Sequence, residues 1–237
     1  QSFESLLWLR AVQGVCLAGL PAIAIAYMGD EFSKKALLIA VGLYISGNTL
    51  GGIGGRLIGG FMGDLLGWQE AFAAMSMIGL ICLSLFVWLL PESNNFKPQP
   101  FKLLQMLRDI RGHLRNPLLF LAFLVGGFNF FIFINQYSYI TFLLADAPYQ
   151  LSASMLGMLF LTYLSGTLGS AVSGRFANFM PQPLVIAAGV VCLMCGSLVT
   201  LIPSIWAILL GLLINAFGFF VAHSAASSWV NHQAQGA

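Results

Sequence analysis

The chain has 237 residues, of which 59% are hydrophobic and 8% are charged, and its formal net charge is +2. Ordinary globular domains carry about 25% charged residues, so this chain has too little polar surface for a water-soluble particle. Its few, scattered charges also exclude a nucleic-acid-binding protein. We therefore expect an all-α membrane protein.

Apolar stretches of about 20 residues, the length that crosses a bilayer core, recur along the chain. They predict seven transmembrane helices at 5–28, 36–62, 71–90, 117–136, 153–174, 183–202 and 205–229. The one long connection, 91–116, predicts a domain boundary between a first bundle, 1–90, and a second, 117–237. Apolar residues recur there at helical spacing, which favours an amphipathic helix on the cytoplasmic membrane face or a solvated linker.

Lys and Arg fall in alternate connections between the predicted spans. The connections 63–70, 137–152 and 203–204 contain none. The other connections hold Lys34, Lys35, Lys97, Lys102, Arg108, Arg111, Arg115 and Arg175. Because basic loops stay in the cytoplasm, the first span is predicted to run from outside to inside.

Two motifs in the first two spans resemble those of the major facilitator superfamily. The first span resembles its fourth-helix motif in Leu6, Arg10, Gln13 and Gly14. The second resembles the fifth-helix motif of its proton-coupled exporters in Gly42, Gly51, Gly55, Gly59 and Gly60, with Arg56 where those exporters usually have Pro. The last span, from Gly218 to Trp229, is similar to the tenth helix of its bacterial YnfM-like inner-membrane exporter group.

The resemblance implies that the chain covers helices four to ten of a 12-helix fold. The linker 91–116 would join the end of the N-terminal bundle (1–90, helices four to six) to a truncated C-terminal bundle (117–237, helices seven to ten). It implies a multi-pass protein of the bacterial inner membrane, a secondary transporter that works by alternating access, and a proton-coupled exporter or antiporter. The segment Gly60–Gly67 resembles a cytoplasmic loop motif of the family, but we interpret it as the ordinary outer connection after the fifth helix.

Ionisable and amide side chains within the predicted spans are candidates for transport or coupling, because such groups are costly in a membrane. Arg10 and Arg56 lie near span ends, so snorkelling to the surface is an equally weighted interpretation. His223 is interpreted first as a structural histidine and second as a protonation switch. The full set of candidates is Arg10, Gln13, Gly14, Arg56, Asn129, Asn135, Asn215 and His223.

The glycines of the second span are assigned first to helix packing, because glycines four residues apart form a smooth stripe on a helix. The Cys192–Cys195 pair is interpreted as apolar filler, and we expect neither a metal nor a cofactor. The expected partners are lipid, protons and a small substrate, amphipathic or anionic, whose identity the sequence does not define. A seven-helix receptor or sensor is the alternative function, and a membrane enzyme is rejected.

Overall fold

The computed structural model describes residues 3–93, 95, 102–176 and 179–234. Every regular element in these ranges is helical, which confirms the all-α prediction. The helices are α1 (Phe3–Glu31), α2 (Lys34–Leu66), α3 (Trp68–Leu89), α4 (Leu103–Arg115), α5 (Pro117–Ala145), α6 (Ala153–Met158), a 3₁₀ segment (Leu159–Thr162), α7 (Tyr163–Phe176), α8 (Gln182–Val199) and α9 (Ile205–Ala234).

Six helical stretches of the described residues are long and apolar enough to cross a membrane. They are Phe3–Glu31, Trp68–Leu89, Pro117–Ala145, Ala153–Phe176, Gln182–Val199 and Ile205–Val230. The second predicted span, 36–62, forms most of α2, which is not among the six and combines many glycines with Arg56 and Asp64. The remaining predicted spans each match one helix or, at 153–174, the sequence from α6 to α7.

Two predicted connections are shorter than expected. The predicted bounds of the connection 63–70 are wrong, because α2 continues to Leu66 and α3 starts at Trp68. Gly67 alone separates them with φ of +97°, a conformation that glycine adopts without steric cost. The connection 137–152 is also too long in the prediction, since α5 continues to Ala145.

The chain divides into two compact units, 1–52 with 78–100 and 53–77 with 101–237. In the first unit, the Tyr27 hydroxyl at the end of α1 donates to the Pro91 carbonyl at 3.0 Å. The Glu31 carboxylate accepts hydrogen bonds from the Ser93 hydroxyl and from the Asn95 backbone N–H. These bonds join the end of α1 to the segment after α3. The bundle boundaries 1–90, 91–116 and 117–237 stay a prediction, and Leu103–Arg115 within the linker is a helix.

In the second unit α9 packs against α5, α7 and α8. Glycines permit the close approach of α8 and α9: a Cβ added at Gly189 or Gly218 would meet backbone atoms of the facing helix at under 3 Å. In a membrane, where lipid tails are as apolar as the helices, such close packing is a main source of helix association.

We predict that Gly218→Ala destabilises the protein by about 1–3 kcal/mol, because the new methyl group overpacks the contact between α9 and α8. Thermal unfolding of the full-length protein in detergent measures the loss. Gly174→Ala in α7 is the matched control, since a Cβ at Gly174 meets nothing within 4 Å among the described residues. Equal melting temperatures for the two variants would contradict the close-packing argument.

Candidate functional site

The part of α2 that belongs to the second unit, 53–66, contacts the segment 153–163 of that unit with one of its faces. Arg56, Gly60 and Asp64 are four residues apart and therefore share this face. We call their contact with 153–163 the outer contact, because the charge pattern predicts that this end of α2 lies on the outer side of the membrane. It joins parts of the chain that are about ninety residues apart, as the Asp64 to Ser154 bond shows.

The centre of the outer contact is a pair of glycines. A Cβ at Gly60 would lie 2.5 Å from the Ala153 carbonyl oxygen, and one at Gly157 would lie 2.7 Å from the Arg56 carbonyl oxygen. Neither position therefore accepts a larger residue without a shift of the backbone. The glycine motif predicts a packing role for Gly60, whereas no motif in the sequence indicates Gly157 as its partner.

The other glycines of the packing motif have looser surroundings. A Cβ at Gly55 would lie 3.4 Å from the Met75 Cε. At Gly51 and Gly59 it would meet no described atom within 4 Å. Gly42 lies outside the residues whose side-chain surroundings are described. A packing role for these glycines stays a prediction.

Asp64 caps the N-terminus of α6 across the outer contact. Its Oδ1 accepts from the Ala153 N–H at 2.8 Å and its Oδ2 from the Ser154 N–H at 2.7 Å. Ser154 through its hydroxyl and amide, and then Ser152, lower the pKa of Asp64 to about 2. The negative charge of Asp64 therefore stabilises the folded protein fully above the ordinary pKa of an aspartate. This stabilisation is lost only as the pH falls through about 2. Asp64 is charged at every physiological pH.

Arg56 lies over aromatic rings of the facing segment. Its guanidinium Cζ is 4.3 Å from the centroid of the Phe160 ring and 5.6 Å from that of Tyr163. Both distances are within the range of a cation–π interaction. The structure thus gives this cation aromatic neighbours, which sequence analysis did not consider.

Phe160 and Tyr163 belong to an aromatic cluster that continues into the centre of the unit. Its members are Phe133, Tyr137, Phe160, Tyr163, Phe219 and Phe220. The Phe133 and Phe219 rings are stacked with centroids 3.9 Å apart. The Tyr137 hydroxyl lies 2.6 Å from the Thr162 Oγ1 and donates to the Leu212 carbonyl at 3.2 Å, so its polar end is satisfied.

His223 lies at the far end of this cluster from Arg56. Its ring is stacked on Phe219, with centroids 5.2 Å apart and planes 19° apart. The Asn129 Nδ2 donates to the carbonyl oxygen of the same Phe219 at 3.3 Å. Asn129 of α5 and His223 of α9, which are both candidates from the sequence, therefore both contact Phe219.

Asn215 is fully buried between α8 and α9. Its Nδ2 donates to the Ser197 Oγ at 2.9 Å and to the Leu193 carbonyl at 3.4 Å. No donor among the described residues reaches the Oδ1 of Asn215 or that of Asn129. A buried carbonyl without a partner costs about 1–3 kcal/mol, so these two oxygens are positions where a hydrogen-bond donor would be stabilised.

The two asparagines of α5 line different cavities. Asn135 and Gln136 line one of about 730 Å³ with Tyr139 and Thr200, and the Gln136 Nε2 donates to the Thr200 Oγ1 at 2.7 Å. Asn129 lines an almost entirely apolar cavity of about 720 Å³ between α5, α8 and α9. Both volumes lie in the range of small-molecule sites, about 300–1,000 Å³.

The candidates on α1 lie in the other compact unit. The Arg10 Nη1 donates to the Gln13 Oε1 at 3.1 Å, one turn further along the same helix. A Cβ at Gly14 would meet nothing within 4 Å among the described residues. The sequence spacing of Arg10 and Gln13 thus corresponds to a real contact on α1.

Comparison with known proteins identifies the family. The Major Facilitator Superfamily matches residues 1–237. The chain belongs to the major facilitator superfamily. This membership confirms the resemblance seen in the motifs, and it leaves the receptor alternative without support.

Two of three relatives are similar over nearly the whole chain, and the third is similar over about half of it. The uncharacterized MFS-type transporter YybF of Bacillus subtilis (strain 168) is 36% identical over 98% of this chain and 58% of its own length. The inner membrane transport protein YnfM of Escherichia coli (strain K12) is 34% identical over 99% of this chain and 56% of its own length. The purine ribonucleoside efflux pump NepI of Escherichia coli O127:H6 is 28% identical over 56% of this chain. The chain therefore spans little more than half the length of the first two.

Family membership, together with the six candidate spans among the described residues, identifies the chain as part of a multi-pass membrane protein from a family of transporters. Sequence reasoning missed Asp64, Gly157, Phe160 and Tyr163. Asp64 was assigned to a loop, although its spacing of four and eight residues from Gly60 and Arg56 was a usable signal. The partner residues on 153–163 carry no motif, and only the packing of the superfamily fold identifies them.

We predict that Arg56→Met destabilises the outer contact by about 0.5–2 kcal/mol, because methionine keeps apolar bulk but removes the cation from the rings of Phe160 and Tyr163. Thermal unfolding of the full-length protein measures the effect. Arg56→Lys, which keeps the charge, is expected to retain part of the stability. If Arg56→Met and Arg56→Lys melt together, the cation contributes nothing through these rings.

Proposed function

We propose that the chain is the central part of a secondary active transporter of the bacterial inner membrane, an exporter that exchanges protons for a small molecule by alternating access. The observation that supports this most is the outer contact. Relatives whose names specify an inner membrane transport protein and an efflux pump support the location and the direction.

Alternating access requires contacts that close one side and can be broken. The outer contact joins α2, from the predicted N-terminal bundle, to the segment 153–163 of the predicted C-terminal bundle. In this proposal the described arrangement represents the state that is closed at this contact. A cation–π interaction contributes only about 0.5–2 kcal/mol, and the backbones meet there at a single glycine pair, Gly60 with Gly157. Such a contact suits a gate that opens and closes during transport.

A path for a substrate would need polar groups within the apolar bundle. Asn129, Asn135, Asn215 and His223 on α5 and α9 supply them, and two of these have an unpartnered carbonyl oxygen. Phe130 and Phe219 lie beside His223, which fits an amphipathic substrate with aromatic character. Arg10 and Gln13, with Gly14 beside them on α1, are proposed as the corresponding polar group of the N-terminal bundle and as a site that influences coupling.

The proposal is tested by transport into everted inner-membrane vesicles that contain the full-length protein. With a respiration-driven gradient, acid inside, we expect accumulation of an amphipathic probe such as ethidium, or of inosine, chosen because of the NepI relative. A protonophore should release the accumulated probe. Accumulation that survives the protonophore would rule out proton coupling, and equal uptake by vesicles without the protein would rule out transport of these probes.

A disulfide across the outer contact should stop the cycle. An ideal Cβ at Gly63 lies 3.8 Å from the Ala153 Cβ, which matches the Cβ separation of about 3.8 Å in disulfides. We predict that oxidised Gly63→Cys/Ala153→Cys, in a background without Cys16, Cys82, Cys192 and Cys195, loses nearly all vesicle uptake and regains it on reduction. The two single-cysteine variants are controls, and an active cross-linked protein would show that this contact stays closed throughout transport.

His223 is proposed to contribute to the pH dependence of transport. Histidine is the side chain whose ordinary pKa lies near neutrality, about 6.5, and His223 is stacked against Phe219 in the centre of the unit. We predict that His223→Gln flattens the dependence of the transport rate between pH 5.5 and 8 compared with the wild type. Asn215→Ser is the control that should change the rate without its pH profile, and an unchanged profile in His223→Gln would assign the histidine a structural role.

A further inference from the structure

Helix α4 carries two parallel stripes of different chemistry. Leu107, Ile110 and Leu114 form an apolar stripe. Each of them is followed in the sequence by an arginine, and Arg108, Arg111 and Arg115 form a basic stripe. Successive residues of a helix are 100° apart, so the stripes run side by side. All six side chains are left uncovered by the described part of the protein.

The position of α4 restricts what this surface can meet. Asn116 alone separates α4 from α5, and its side chain caps α5 by accepting from the Leu118 N–H at 3.1 Å. Because α5 is one of the apolar helices able to cross a membrane, the C-terminal end of α4 is held at the membrane surface. The distribution of Lys and Arg predicts that this is the cytoplasmic surface of the membrane.

The charges of α4 indicate what binds to its exposed surface. An apolar stripe beside a basic stripe suits the boundary between acyl chains and anionic headgroups. Three arginines on one side of the helix offer planar hydrogen-bond donors that match phosphate oxygens. A solvated linker would not require Leu107, Ile110 and Leu114 on one face of the helix. Binding to a zwitterionic membrane surface would not require the three arginines.

We propose that α4 is a lipid-binding helix: its leucine–isoleucine stripe enters the cytoplasmic leaflet, and Arg108, Arg111 and Arg115 bind the phosphates of anionic phospholipids. This site is independent of the transported substrate and of the direction of transport. It would make the position of the connection between the two bundles sensitive to the anionic lipid content of the membrane.

The test uses purified full-length protein, without its native cysteines, that carries an environment-sensitive fluorophore on Leu107→Cys. The protein is placed in nanodiscs of phosphatidylcholine alone or with 30% phosphatidylglycerol. We expect the emission to shift to the blue when phosphatidylglycerol is present, as the apolar stripe enters the lipid. A basic residue near an anionic surface contributes about fivefold to binding, so Arg108→Gln/Arg111→Gln/Arg115→Gln should weaken the association about a hundredfold and abolish the shift.

The matched control is Lys34→Gln/Lys35→Gln/Arg175→Gln, which removes the same number of charges from the same predicted membrane side but leaves α4 intact. It should keep the response to phosphatidylglycerol. Loss of the response in this control would assign the effect to net charge and overturn the proposal. A probe equally exposed to water in both lipids would identify a solvated linker, and a probe equally shielded in both would identify packing against protein; either result also overturns it.

Discussion

The aromatic cluster is the place where four separate helical segments of the second unit meet, and the candidate site is arranged around it. Phe133 and Tyr137 come from α5, Phe160 and Tyr163 from the 3₁₀ segment and the start of α7, and Phe219 and Phe220 from α9. Arg56 of α2 lies on one end of the cluster and His223 on the other. Aromatic rings prefer defined edge and stacked geometries, so a shift of one ring changes the fit of its neighbours. The two ionisable groups are therefore connected by side chains that pack as a set.

The outer contact differs in kind from the packing between α8 and α9. In the latter, glycines on both helices allow long, close backbone contact, which suits elements that stay together. The outer contact is short and combines one glycine pair, the carboxylate cap of Asp64 and one cation over aromatic rings. Polar and electrostatic contacts of this type exchange readily with water at a membrane surface. The outer contact is thus the smaller of the two interfaces, as the reversible closure that we propose for it requires.

Polar groups inside the unit fall into satisfied and unsatisfied sets. Tyr137, Thr162 and Gln136 have their partners within the bundle, and they hold helices in register. Asn129 and Asn215 are fixed by their amide nitrogens, so the orientation of each side chain is defined and its carbonyl oxygen is left without a described donor. A group that is oriented and unsatisfied is suited to bind a donor from elsewhere, and this is the physical basis of our proposal that a transport path lies beside α5 and α9.

The sequence alone determined the helical class, the membrane environment, the approximate positions of the apolar segments and the family, because hydropathy and motif spacing are local properties. It also identified the Arg10–Gln13 pair, since both residues are one turn apart on a single helix. The ends of α2 and α5 were misplaced, since the predicted connections 63–70 and 137–152 contain Asp64 and Tyr137, which lie in these helices. Only the tertiary structure decided that Gly60 meets Gly157, that Asp64 caps α6 and that Arg56 lies over Phe160. These contacts depend on which faces of distant helices come together, and no local pattern of one helix specifies the surface of its partner.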